Sequence, residues 1–149
     1  MAQERYDQDP AELVRRWYQE VWNNGNEKAI DELYAEDGVS HGLGKSRKGR
    51  DEFKRFFQAF RRNAFGGGEK QVNIRVADTV VNGDKVGYRV EADCPEEPNS
   101  NRIIRISGGG IARVENGKFV EVWNLFDFLS LKEQVGPKRE AGLKQALEG

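Results

Sequence analysis

Asp127 is the residue whose setting most suggests chemistry. It stands between Phe126 and Phe128, four residues after Trp123, near the end of a long apolar run that begins at Lys118. A carboxylate in such company must be hydrated, paired or put to use, because burying it bare costs several kcal/mol or more. Desolvation also raises a carboxyl pKa, which turns a weak acid into a useful proton shuttle near neutral pH. Along the run, the odd positions are Phe119, Glu121, Trp123, Leu125 and Asp127. The even positions are Val120, Val122, Asn124, Phe126 and Phe128. The odd set mixes large apolar and acidic residues and suits a pocket wall; the even set reads as solid core. The structural alternative for Asp127 is a helix cap, although Ser130, with Glu133 three residues on, is the better capping box.

His41 is the only histidine of the chain and lies in a Ser-His-Gly-Leu-Gly turn. A neutral imidazole there could exchange a proton with a substrate oxygen; otherwise it is a surface residue. Trp17, Phe56 and Phe60 are aromatic residues of helical stripes that could face a cavity as well as a core. Tyr88, Asn124 and Glu121 could supply hydrogen bonds. Lys45, Arg47, Lys48 and Arg50 form a basic cluster that could attract an anionic ligand at a cavity entrance but, with Asp51 and Glu52 next to it, reads first as a solvated loop. One histidine and one cysteine exclude the usual zinc spacings, so no metal is expected. No Gly-rich strand-to-helix turn offers a dinucleotide site, and a serine triad would need a serine beside His41 with no elbow motif to mark one. No cofactor is expected.

These residues need elements to hold them. Asp9-Pro10-Ala11-Glu12 carries an N-cap, a proline at the first helical position and a capping-box glutamate. Leu13, Val14, Trp17, Tyr18, Val21 and Trp22 then repeat at helical spacing until Gly25. Asn26 can cap a second helix bearing Ile30, Leu33 and Tyr34. After an extended piece around Val39, a third helix starts near Gly49, with Phe53, Phe56, Phe57 and Phe60 on one stripe. The second half is β. Residues 72–81 and 85–92 flank Asn82-Gly83, and residues 102–114 and 118–128 flank Asn116-Gly117, both type I′ hairpin signals. Gly108-Gly109-Gly110 predicts a bulge or bend rather than a phosphate cradle, since no helix start follows it. Cys94 to Asn101 reads as a loop rich in Pro, Glu and Asn. The chain is expected to be one domain over 1–149, with a core of about 10–136 and a charged tail at 137–149.

At 149 residues with net charge -1, the chain has room for a core and no global field favouring nucleic acid or membrane. Its first residues lack the apolar stretch of a signal peptide, and no run is long enough to span a bilayer. A cytoplasmic location is the expectation.

Taken in order, several stretches resemble one family. They are Tyr18-Gln-Glu-Val-Trp-Asn-Asn-Gly-Asn, Leu33-Tyr-Ala-Glu-Asp-Gly-Val-Ser-His and Gly49-Arg-Asp-Glu-Phe. Later come Val81-Asn-Gly-Asp-Lys-Val, Gly110-Ile-Ala-Arg-Val-Glu-Asn-Gly-Lys, Glu121-Val-Trp-Asn-Leu-Phe-Asp and Gln134-Val-Gly. From about Leu13 to Gly136 the chain resembles the nuclear-transport-factor-2-like superfamily, within it the SnoaL-like polyketide cyclase group. The resemblance implies an α+β fold: a cone-shaped, curved antiparallel sheet packed on three N-terminal helices, and a homodimer through the outer sheet face. It implies a cofactor-free cyclase or isomerase acting on a small, largely apolar carbonyl compound. Asp127 matches the family's acid/base position, with His41 as a second catalytic candidate and Trp17, Phe56, Phe60, Tyr88, Trp123 and Asn124 as substrate contacts. The short stretch after Cys94 and the single histidine depart from the cyclases, which carry a longer segment and a second histidine there. Two other readings stay open. One is a non-catalytic small-molecule-binding or dimerisation module. The other is an epoxide hydrolase built on Arg89, Arg113 and Asp93.

Overall fold

The computed structural model describes residues 9–64, 72–95 and 102–149. The loop expected at the end of Cys94–Asn101 therefore falls, from residue 96 on, outside the described residues; Cys94 and Pro95 belong to the preceding strand. The first helix, α1 (Pro10–Arg16), is capped by Asp9, whose side chain accepts from the Ala11 N–H at 3.0 Å. It runs on into a π-helical segment, Trp17–Asn23, that the residue pattern does not announce. The wider turn leaves Trp17, Tyr18, Val21 and Trp22 all buried. Asn23 pins its end to the sheet, donating from Nδ2 to the Ile74 carbonyl (2.9 Å) and accepting from the Ile74 N–H (2.7 Å). Asn26 caps α2 (Glu27–Leu33), and α3 spans Arg50–Ala64. Two short helices follow the sheet, α4 (Phe128–Gln134) and α5 (Pro137–Glu148).

Six strands form one curved, unclosed sheet: β1 (Tyr34–Leu43), β2 (Lys45–Lys48), β3 (Asn73–Asn82), β4 (Lys85–Pro95), β5 (Ile103–Glu115) and β6 (Lys118–Phe126). Their spatial order is β2-β1-β6-β5-β4-β3. Pairing is antiparallel except between β1 and β6, which run parallel with His41 opposite Trp123. The extended piece expected around Val39 is thus a full strand, stabilised by a last strand 80 residues away that local pattern cannot reveal. The fold class is α+β, as the resemblance implied.

Three local expectations need correction. The first hairpin pairs Asn82 with Lys85, so its loop is Gly83-Asp84, with positive φ only at Gly83 (62°); that is the pattern of a type II′ turn. In the second hairpin both Asn116 (53°) and Gly117 (73°) have positive φ, as type I′ requires. The glycine triplet of β5 carries no bulge, since Gly108, Gly109 and Gly110 pair in unbroken register with β4 and β6. Its use is space. A Cβ on Gly108 would lie 2.2 Å from the Phe126 ring, and one on Gly110 would lie 2.8 Å from the Tyr88 hydroxyl. Finally, the basic cluster is only partly solvated. Arg47 is 3% exposed and lies over the Phe56 ring at 4.8 Å. It donates to the carbonyls of Leu43 (2.9 Å), Leu147 (2.7 Å) and Gly149 (3.1 Å). A cation on the last carbonyls of a helix also complements its dipole, so the tail is a docked helix with Leu143 and Ala146 buried.

Candidate functional site

The π-helical segment, α3 and the concave face of the sheet enclose a cavity of about 60 Å³. Trp17, Tyr18 and Trp22 form one wall, and Phe53, Phe56 and Phe60 of α3 form the next. The sheet contributes Ser40 and Leu43 from β1, Ile74 from β3, Ala92 from β4 and Ile106 from β5. Val122, Asn124 and Phe126 of β6 complete that side, and Phe128 at the start of α4 closes the end. The aromatic residues lock one another. Trp22 meets Phe57 and Phe60 edge-on at 5.0 and 5.8 Å, and Phe60 and Phe126 each contact Phe128 at about 6 Å. Such pairs add roughly 0.5–1.5 kcal/mol each beyond their area burial. A space this small holds a few waters or a small fragment.

The polar lining is neutral. Ser40 shares a 2.8 Å hydrogen bond between its hydroxyl and that of Tyr34, both fully buried. Asn124 donates from Nδ2 to the His41 carbonyl at 2.9 Å, which fixes the amide against the backbone of β1. One N–H and the amide oxygen then remain for a ligand. Tyr18 packs edge-on against Tyr88 at 5.8 Å. Burial raises the Tyr18 phenol well above its ordinary value and pushes Tyr88 to about 12. Both phenols therefore stay protonated and able to donate throughout the neutral range.

Of the expected contacts, Trp17, Phe56, Phe60 and Asn124 line the cavity. Tyr88 stands behind its wall, lining with Trp17, Tyr18 and Ala112 a separate void of about 10 Å³. Asp127, His41 and Trp123 are elsewhere. Asp127 is exposed, and its Oδ1 accepts from the Ser130 N–H at 2.9 Å, so it is the N-cap of α4 in place of Ser130. The expectation of a buried carboxylate is corrected accordingly. Trp123 is 38% exposed on the opposite face, stacked on the His41 ring at 5.7 Å.

The inversion has one cause. Val114 pairs with Phe119 but Arg113 pairs with Glu121, so Val120 is an extra residue in β6. A bulge of one residue turns every later side chain to the other face. Phe119 points inward as an odd residue, but beyond the bulge Val122, Asn124 and Phe126 face in, while Leu125, 77% exposed, faces out. Unbroken alternation therefore assigned the faces the wrong way round. Tyr18, Ser40, Phe126 and Phe128 are among the lining residues missed, with aliphatic residues such as Leu43, Ile74 and Val122. The one available signal was a lone amide, Asn124, inside an otherwise apolar even set. The set offered for epoxide opening is also dispersed: Arg89 pairs with Asp78 and Glu91, Arg113 with Glu115, and Asp93 with Arg105, in side chains a third or more exposed for the most part.

A curved sheet wrapped on helices around an apolar cavity defines the ketosteroid-isomerase-like class of α+β folds, and the comparisons agree. A protein with that fold from Catenulispora acidiphila, in complex with trimethylamine, superposes with a TM-score of 0.70 at 17% identity, covering 87% of this chain and 95% of that one. The SnoaL-like polyketide cyclase family matches residues 12–135, and the chain belongs to it. A loop-truncation variant of IdmH is 25% identical with a TM-score of 0.72, over 86% of this chain and all of that chain. A candidate polyketide cyclase from Bacillus cereus is 29% identical with a TM-score of 0.67, over 82% of this chain and 76% of that one. No curated protein matches the chain in sequence. Family and fold support a function of cyclase or isomerase type.

Proposed function

We propose that the protein binds a small, largely apolar carbonyl compound in the cavity and promotes its ring closure or isomerisation there. The observation that carries this reading is the lining itself: aromatic and aliphatic side chains throughout, with Tyr18, Ser40 and Asn124 as the polar exceptions. An apolar enclosure folds a flexible substrate so that its reacting carbons meet, which replaces a loose encounter by an oriented one. A phenol and an amide lining an apolar enclosure can stabilise the negative charge that grows on a carbonyl oxygen as an enolate forms. Asn124 is the better placed of these donors, because β6 and the His41 carbonyl hold its amide rigid.

One observation favours a second reading, a binding module without chemistry: among the described residues no carboxylate and no imidazole lines the cavity. The Asn124→Leu variant separates the two. Leucine keeps the volume and removes the hydrogen bonds. If the cavity catalyses, turnover of a carbonyl substrate falls by about 100-fold while an apolar probe such as a naphthalene dye still binds. Unchanged turnover refutes the catalytic role of Asn124, and a protein that binds ring compounds without ever converting them supports the module.

The outer face shows a row of cross-strand neighbours, Trp123, Ile111, Gly87 and Val80, apolar and substantially exposed at the three positions with side chains. A second copy of the chain fits such a row, and sedimentation equilibrium at micromolar concentration reads the outcome directly.

A further inference from the structure

The convex face holds a second constellation that the cavity reading does not use. His41 Nδ1 lies 2.7 Å from the Ser46 hydroxyl, and His41 Nε2 lies 2.7 Å from Glu121 Oε2. The three side chains come from three strands, β2, β1 and β6, and the His41 ring is further held by its stack on Trp123. Glu121 accepts the Nε2–H, which leaves Nδ1 as the basic nitrogen, and Nδ1 faces a serine. That is the order of roles in a serine nucleophile, its base and the carboxylate that orients the base. Ser46 is exposed, whereas His41 and Glu121 are about 30% exposed, so the nucleophile is the open member.

We infer that Ser46 is an activated nucleophile, and that Ser46, His41 and Glu121 form a second reactive site that accepts acyl groups from small esters with flat or apolar acyl chains. The surroundings match that substrate class. Trp123, stacked on the His41 ring, with Ile111 across from it and Leu125 two residues on, gives an exposed apolar platform on the far side of the histidine from the serine. A donor for the acyl oxygen comes from the edge of the sheet. The Lys48 N–H points off β2 to Glu52 Oε2 at 3.0 Å, and strand alternation turns the Ser46 N–H to the same open side. β2 is the edge strand, at the opposite end of the sheet from Val80. A second copy seated on the row from Val80 to Trp123 shares Ile111 and Trp123 with this platform but does not reach β2, so Ser46 stays accessible at the far edge.

The step balances without any further reactant than water. Ser46 Oγ bonds to the ester carbonyl carbon as its proton passes to His41 Nδ1. The bond from that carbon to the leaving alkoxide breaks, and the alkoxide takes the proton from Nδ1. Water then attacks the acyl-serine, gives its proton to Nδ1, and the acid departs as Ser46 regains its hydrogen. Glu121 is a positioning residue: it fixes the tautomer and supports the imidazolium that forms transiently.

The test uses p-nitrophenyl acetate on the unmodified protein, with peptide mapping by mass spectrometry after a short exposure. The expected result is a hydroxylamine-sensitive acetyl group on Ser46 and steady turnover, about 100-fold above that of Ser46→Ala, the usual scale of general-base assistance. Glu121→Gln should lower kcat with KM unchanged and thermal unfolding close to wild type. Acetyl groups only on lysines or on Cys94, turnover equal in wild type and Ser46→Ala, or no adduct at all would each overturn the assignment. A drop in stability of Ser46→Ala with no adduct on the wild-type serine would assign the cluster to holding the β1–β2 hairpin, which also overturns it. Loss of the Ser46 adduct in a protein whose cavity still binds the naphthalene dye would overturn this site alone, so its failure and that of the cavity reading are distinguishable.

Discussion

The concave and convex faces of the sheet are made by the same strands and differ in almost every physical respect. The concave face is buried and aromatic, with its few polar groups tied to fixed neighbours such as the Tyr34 hydroxyl and the His41 carbonyl and its buried cation, Arg47, set over the Phe56 ring. The convex face carries solvent-accessible charged and basic groups: His41, Glu121, Arg89, Arg113 and, at the end of β6, Asp127. Adjacent residues of β6 belong to different surroundings, Asn124 to the cavity wall and Trp123 to an open surface. An apolar pocket can orient and polarise; an exposed face can trade protons. The lesson is that a carboxylate in an apolar sequence context is not thereby in an apolar place.

The largest contrast should appear in stability. Phe53 is 2% exposed and touches Trp17, Trp22, Tyr34 and Phe56. Phe53→Ala should cost about 3–5 kcal/mol. Leu125→Ala, on the other face of the sheet, should stay within about 0.5 kcal/mol. Denaturant unfolding of the two variants measures the difference, and equal losses would mean that the convex face is itself covered by a partner. A smaller effect concerns Asp127. As a cap it tolerates asparagine, so Asp127→Asn should keep both stability and turnover, whereas Asp127→Ala should lose about 1 kcal/mol. A stable Asp127→Asn variant without activity would return Asp127 to the chemistry and break the division of faces.

The smallest effect is one of pH. Tyr88 and Tyr34 both titrate at about 12 in the folded chain, raised by burial from 10.0. A raised folded value means that above pH 10 the unfolded chain loses protons more readily than the native one. The stability linked to these phenols is therefore fully present below pH 10 and lost as pH rises through about 12. Tyr88→Phe should flatten part of that decline in unfolding measured from pH 9 to 12; an unchanged slope would show that Tyr88 is less buried than its position indicates.

Local patterns in the sequence determined a good deal. Asp9 and Asn26 specify their helix starts, because a side-chain acceptor for orphan N–H groups is chosen by the nearest residues. The phenylalanine stripe of α3 specifies which side is buried, and Asn116-Gly117 specifies a hairpin, since few residues accept positive φ. The aromatic half of the cavity was visible for the same reason: Trp17, Phe56 and Phe60 sit on helical stripes that must face something. Tertiary structure alone decided the rest. The parallel pairing of β1 with β6, the docking of α5 through Arg47 and the extra residue at Val120 depend on partners far along the chain. Side-chain parity in a strand is a count from a reference point, and one bulge resets the count. For that reason the residues Trp123 to Asp127 could be recognised from sequence as the important stretch, while which of them faces the cavity and which faces water was settled only by the register of β6 against β5.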